Sequence, residues 1–185
     1  MPAKVSHHVT LRNPADTADV DLDTLLGAVT SALARPVLEG GLTELIGINE
    51  QVDQNEYCAE VEVTLAGTYS GEILAISLYS SETGTGAVQT PAGVLYIFDA
   101  TTGVAAGDTA ITATDLEKAI GLVTVATTDW YGDSSGKMAH KTVGIPFHAL
   151  ASLFFVFQRT DAASFNDAAG DDELLKVNFW YRRDS

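Results

Sequence analysis

From Tyr57 onwards the chain alternates. In YCAEVEVTLAG, Tyr57, Ala59, Val61, Val63 and Leu65 take every second position, with Cys58, Glu60, Glu62 and Thr64 between them. That period of two predicts an antiparallel strand with one face buried and its glutamates in water. Further strands are predicted over GEILAISLYSS (71–81), GVLYIFDA (93–100), GLVTVATTDW (121–130), IPFHALASLFFVFQR (145–159) and the segment 174–183. Turns rich in Gly, Ser and Asp join them. YGDSSGKMAHKTVG reads as a loop leading into the proline-started strand, and DAASFNDAAGDDE as an acidic loop before the last one. In TATDLEKAIG, Thr114 with Glu117 three residues on forms a capping box and predicts a single helical turn.

The pattern before Tyr57 differs. Pro2, Pro14 and the run Asp16, Asp19, Asp21, Asp23 predict an extended arm over residues 1 to about 20. DLDTLLGAVTSALARP then places Leu22, Leu25, Leu26, Val29 and Leu33 at helical spacing. Asp21 or Asp23 can cap the start, Arg35 suits the end, and Pro36 stops it. From Val37 to Glu56 the periodicity is weak, with Gly40-Gly41 as a turn or hinge. No strand–helix alternation of the kind that builds a parallel sheet follows. The expected fold is mainly β: an antiparallel two-layer β-sandwich, jelly-roll or Ig-like, with an extended N-terminal arm and one short helix. Residues 1–36 form the arm and helix, and 37–185 the sandwich body.

Composition narrows the function. Hydrophobic residues make up 46% and charged residues 19%, a globular balance and not a disordered one. The net charge of -15 argues against wrapping nucleic acid, which needs clustered Lys and Arg. No run approaches the length of a membrane span, and MPAKVSHHVTLRNPADTADVD has no apolar core of a signal peptide. Synthesis in a reducing cytoplasm is the expectation. Cys58 is the only cysteine, so no disulfide forms within the chain, and it reads as a small buried apolar residue.

The search for chemistry finds no anchor. YGDSSG, Tyr131 to Gly136, carries a Gly-Asp-Ser string, but a serine elbow needs a following helix, and here a strand follows. Asp-Ser-Ser-Gly also makes a solvent turn. His7-His8, His140 and His148 show no HExxH or His-x-His spacing, and no CxxC exists, so no metal site or cofactor is expected. Asp161, Asp167, Asp171, Asp172 and Glu173 invite a calcium reading but lack the alternation around a glycine that a calcium loop uses; a solvated loop is the expectation. The glycines of SSETGTGAVQTPAG lack the Lys-Ser/Thr and helix of a phosphate loop. The chain is expected not to be an enzyme.

The last strand divides by parity. Leu175, Val177, Phe179 and Tyr181 form a core face, and Leu174, Lys176, Asn178, Trp180 and Arg182 the other. Trp180, Arg182 and Arg183 make a cationic-aromatic spot of the type that anchors interfaces, with Trp130 and Tyr131 as a second candidate. LFFVFQR is apolar at almost every position, so its outer side needs cover from the arm, the helix or another subunit.

The strings QTPAGVLYIFDA, GDTAI, VGIPFHALASLFFVF and GDDELLKVNFWYRRDS resemble small virion proteins encoded beside the major capsid protein in tailed bacteriophages, over residues 57–185. The resemblance implies a capsid decoration or cement protein: a β-sandwich, often trimeric, bound to the major capsid protein on the virion surface. It carries no catalytic residues across. An arm that adds a strand to a neighbour would suit that role. The alternative from another class is a carbohydrate-binding β-sandwich for host adsorption, with Trp130, Tyr131 and Trp180 as its stacking platform.

Overall fold

The computed structural model describes residues 11–12, 19–20, 38–47, 50–84, 87–166 and 172–184. The chain divides into two units, Met1–Val37 and Leu38–Ser185. In the first, strand β1 (Leu11–Arg12) pairs antiparallel with β2 (Asp19–Val20). The rest of the expected arm and the helix expected over 21–36 lie outside the described residues.

Among the described residues the second unit holds seven strands: β3 (Leu38–Ile46), β4 (Val61–Glu82), β5 (Gly93–Phe98), β6 (Ala119–Val125), β7 (Trp130–Gly132), β8 (Gly136–Arg159) and β9 (Glu173–Arg183). All pair antiparallel in the order β3-β9-β4-β8-β5-β6, with β7 beside β8. The mainly β, antiparallel expectation holds.

Two long strands make one sheet into two layers. At about 3.3 Å per residue, β4 would run about 70 Å if straight, nearly twice the width of a body this size. It therefore bends. Residues 71–82 of β4 pair with β9 and with 136–147 of β8, while residues 61–64 pair with 152–155 of β8, whose end pairs with β5. The bend falls at register irregularities between Thr64 and Ala75, opposite Ala149, which takes a positive φ of 52°. Ser70 Oγ accepts from the Ala149 amide at 3.0 Å and meets His148 Nδ1 at 2.8 Å, fastening the two bends together.

The layers close over one core. Ile73, Ile76, Val177 and Phe179 from one layer share it with Leu95, Val123, Phe155 and Phe157 from the other, and Phe155 lies 5.0 Å from Phe179, ring centre to ring centre. Leu175, Val177, Phe179 and Tyr181 are buried, as parity required. Cys58 is fully buried, which pushes its thiol up to about 12.

Several expectations need correcting. The strands expected at 57–67 and 71–81 join into β4, which begins only at Val61, because the Gly-rich GTYSG forms the bend of β4 and not a turn. The loop expected at 131–144 is strand from Gly136. Pro146 lies inside β8, opposite Glu72 of β4, at a stretch where among the described residues β8 pairs with no strand on its other side, the edge position in which sheets tolerate proline. The strand expected to reach 130 stops at Val125, and a turn at Thr127–Asp129, closed by the Ala126 amide donating to Asp129 at 2.7 Å, leads into β7. Gly40-Gly41 is not a hinge: the pair lies in β3, opposite Trp180 and Phe179. A glycine weakens a strand by lacking a side chain, and a large aromatic across the ladder supplies the surface it lacks. The helical turn spans Ala113–Leu116 and is capped by Thr112 with Asp115, two residues earlier than the expected Thr114 with Glu117.

The outer side of LFFVFQR finds its cover within the same unit. Val156 and Phe154 pack in a second cluster with Tyr57, Phe98, Val104 and Ile111, contributed by the segment before β4, the end of β5 and the loop over 99–118. Glu60 holds that loop: its carboxylate accepts from Thr101 Oγ1 and from the amide and hydroxyl of Thr102, each at 2.5 Å. Burial alone would raise Glu60, and these hydrogen bonds outweigh it, holding the carboxyl below its ordinary 4.5. A lowered carboxyl stabilises the fold fully above 4.5 and loses that contribution as pH falls through the folded value. Glu60→Gln is expected to cost about 1–2 kcal/mol at pH 7. In urea titrations the gap from the natural chain should narrow below pH 4.5; a constant gap would contradict this reading.

Candidate interaction surface

The candidate chemical groups are engaged in local structure. The Asp133–Gly136 turn bonds to itself: the Ser135 amide donates to Asp133 Oδ1 at 2.7 Å, and the Asp133 amide to the Gly136 carbonyl at 3.1 Å. Gly132, at φ 147°, leads into it, and a Cβ there would meet the Gly136 carbonyl oxygen at 2.2 Å. The result is the hairpin turn between β7 and β8. His140 Nδ1 lies 2.8 Å from Ser77 Oγ, and His148 makes the Ser70 contact above. In the acidic segment, Asp161 pairs with the buried Arg159, and Glu173 accepts from the Asn166 amide at 2.8 Å. Asp167 and Asp171 lie outside the described residues. Among those described, no cluster of three or more His, Cys, Asp or Glu could hold a metal ion.

The five aromatic and cationic candidates do not form one spot. Trp130 is 8% exposed, and its indole N–H donates to the Pro91 carbonyl at 3.0 Å. Its neighbour Tyr131 points to the other side of β7 and is 76% exposed. The Trp130-Tyr131 pair is thus no stacking platform, because successive strand residues face opposite sides. Trp180 is half-buried on β9 and meets the His140 ring edge-on at 6.1 Å. Arg182 bonds Glu72 through Nη2 at 2.8 Å, and the Arg183 guanidinium lies 4.9 Å over the Tyr69 ring. Both arginines thus have partners in their own body.

Pairing register shows what shares a face. Opposite the core, one row crosses five strands as Glu44, Lys176, Tyr79, Met138 and Tyr131. Lys176 and Glu44 approach to 4.0 Å at one end. At the other end Met138 is 39% exposed beside Tyr131, and with Tyr79, Ser81 and Lys137 they line a shallow concavity of about 240 Å³. Trp180 lies on the same face, roughly 20 Å from Tyr131 by strand spacing and rise. Sequence parity found Trp180, and the strand-to-loop junction at Trp130-Tyr131 found Tyr131. Neither found Tyr79 or Met138, because the first looked like ordinary strand and the second lay in an expected loop.

No family model matches the chain, and no curated protein matches it. Among solved structures it is similar to the full particle of Israeli acute paralysis virus heated to 63 degrees, at 10% identity and a TM-score of 0.29, over 100% of this chain and 84% of that one. It is also similar to the empty head of turnip yellow mosaic virus, at 8% identity and a TM-score of 0.27, over 98% of this chain and 90% of that one. Among the described residues, no helix is long and apolar enough to cross a membrane.

Proposed function

We propose that the chain is a non-enzymatic structural protein of a virion, a capsid decoration or cement protein that binds the shell of the major capsid protein and stabilises it. Binding of nucleic acid or membrane is no part of the proposal. The observation that carries the reading is the Tyr79–Met138–Tyr131 face. It is a sheet surface with an exposed aromatic and a thioether at one end of its row and the Lys176–Glu44 pair at the other, on a chain whose net charge is -15. Aromatic and methionine side chains on a rigid support are what protein interfaces enrich. The resemblance of residues 57–185 to phage virion proteins supports the same reading. Repetition of a modest contact over a symmetric shell makes it strong in aggregate.

The test is co-sedimentation of the purified chain with shells assembled from the major capsid protein of the same virus. Saturable binding is expected, with a fixed copy number per shell and weaker binding to unassembled subunits. Absence of binding to shells at any concentration would overturn the proposal.

A further inference from the structure

Glycines leave the start of β8 bare. Gly132 of β7 stands opposite Lys137, and Gly136 stands opposite Ser81 of β4, so neither partner meets a side chain from across the ladder. Lys137 borders the concavity of about 240 Å³ that Tyr131, Met138 and Tyr79 line. It also borders a second one, of about 420 Å³, with Val88, Asp133 and Ser134. Cations are scarce in this chain, 10 against 25 acidic residues, so an unpaired one is the exception. Lys118 pairs with Asp115 and Lys141 with Asp129, each at 2.7 Å. Arg159, Lys176 and Arg182 pair with Asp161, Glu44 and Glu72, and Arg183 lies over the Tyr69 ring. Lys137 pairs with no carboxylate among the described residues. Its ammonium donates to the Val88 carbonyl at 3.4 Å, the long end of a hydrogen bond. Asp133 is turned to its own hairpin, where Oδ1 accepts from the Ser135 amide.

We propose that the smaller concavity receives an acidic residue of the shell protein together with a neighbouring apolar side chain. The carboxylate meets the Lys137 ammonium, and the apolar group lies against Tyr131 and Met138. Charge complementarity names the acid. A basic segment would be drawn to the acidic residues elsewhere on the chain, and at this spot it would meet a side chain that repels it. Covering an unpaired ammonium with a partner costs free energy unless a counter-charge comes with the cover. The thioether of Met138 and the ring of Tyr131, which is 76% exposed, supply the apolar half of the site. The inference rests on the shell-binding reading and adds to it the chemistry of the partner's contact segment.

The test is saturation binding of the full chain to assembled shells, with Lys137→Gln, Lys137→Glu and Lys118→Gln beside it. Lys137 is partly exposed and its ammonium contact is long, so both of its variants are expected to keep the natural thermal midpoint. Lys118→Gln removes the same charge from the loop over 99–118, where the surface pair with Asp115 contributes little, and serves as the control. At about 0.1 M salt, Lys137→Gln should bind about fivefold more weakly and Lys137→Glu about twentyfold. At about 1 M salt the Debye length falls from about 10 Å to about 3 Å, and both differences should shrink. The control should match the natural chain at both. Equal or tighter binding by folded Lys137→Glu would overturn the inference and leave shell binding standing, as would an equal loss in the control. Absence of binding by the natural chain would overturn both.

Discussion

Phe179→Ala is expected to lower stability by about 3–5 kcal/mol, and the thermal midpoint by about 6–20 °C. Phe179 is 1% exposed on the central strand β9, with Phe155 of the opposite layer at 5.0 Å and Tyr181 at 5.9 Å. Truncation removes a ring from the seam between the layers, and β9 cannot collapse into the space while it is held by β3 and β4. Calorimetry of the natural and substituted chains decides it. A loss below about 1 kcal/mol would mean that the layers do not meet there.

Gly71→Ala is expected to be the more surprising loss, because it adds a single carbon. A Cβ at Gly71 would lie 2.1 Å from the Arg182 carbonyl oxygen and 3.0 Å from Arg183 Cα, both backbone atoms. No side-chain rotation relieves that contact, so β4 and β9 must separate where β4 bends. The expected cost is about 1–3 kcal/mol, at the upper end because backbone has to move. Gly136→Ala is the matched control: its Cβ would meet only the Ser80 carbonyl oxygen, at 3.6 Å, and stability should change by less than about 0.5 kcal/mol. Equal effects from the two substitutions in denaturant titrations would contradict the bend.

Strand existence was legible wherever the two-residue period ran cleanly, as in GVLYIFDA and the terminal LLKVNFWYRR. Strand continuity was not. The bends in β4 and β8 use the residues that make turns, Gly67, Ser70 and Gly71 in one strand and Pro146 in the other, and only the partner strand distinguishes a bend from a reversal. β3 was hidden for a related reason, since Gly40-Gly41 is tolerated through its pairing with Trp180 and Phe179, more than a hundred residues later.

The surface was half legible. Parity placed Trp180 outside, while Trp130 and Tyr131 were candidates by their position at a strand-to-loop junction, where only the start of β7 shows that the two face opposite sides. The structure moves attention from the arginines of the last strand, which are occupied by Glu72 and Tyr69, to the Tyr131–Met138 end of the sheet face.

That face is tested most directly by the saturation binding of the natural chain and of Tyr131→Ser/Met138→Ser to assembled shells. Both side chains are exposed, so the variant should keep its thermal midpoint. Loss of two anchors of about 1 kcal/mol or more each should weaken binding by roughly thirtyfold. Undiminished binding by the folded variant would show that the shell is gripped elsewhere.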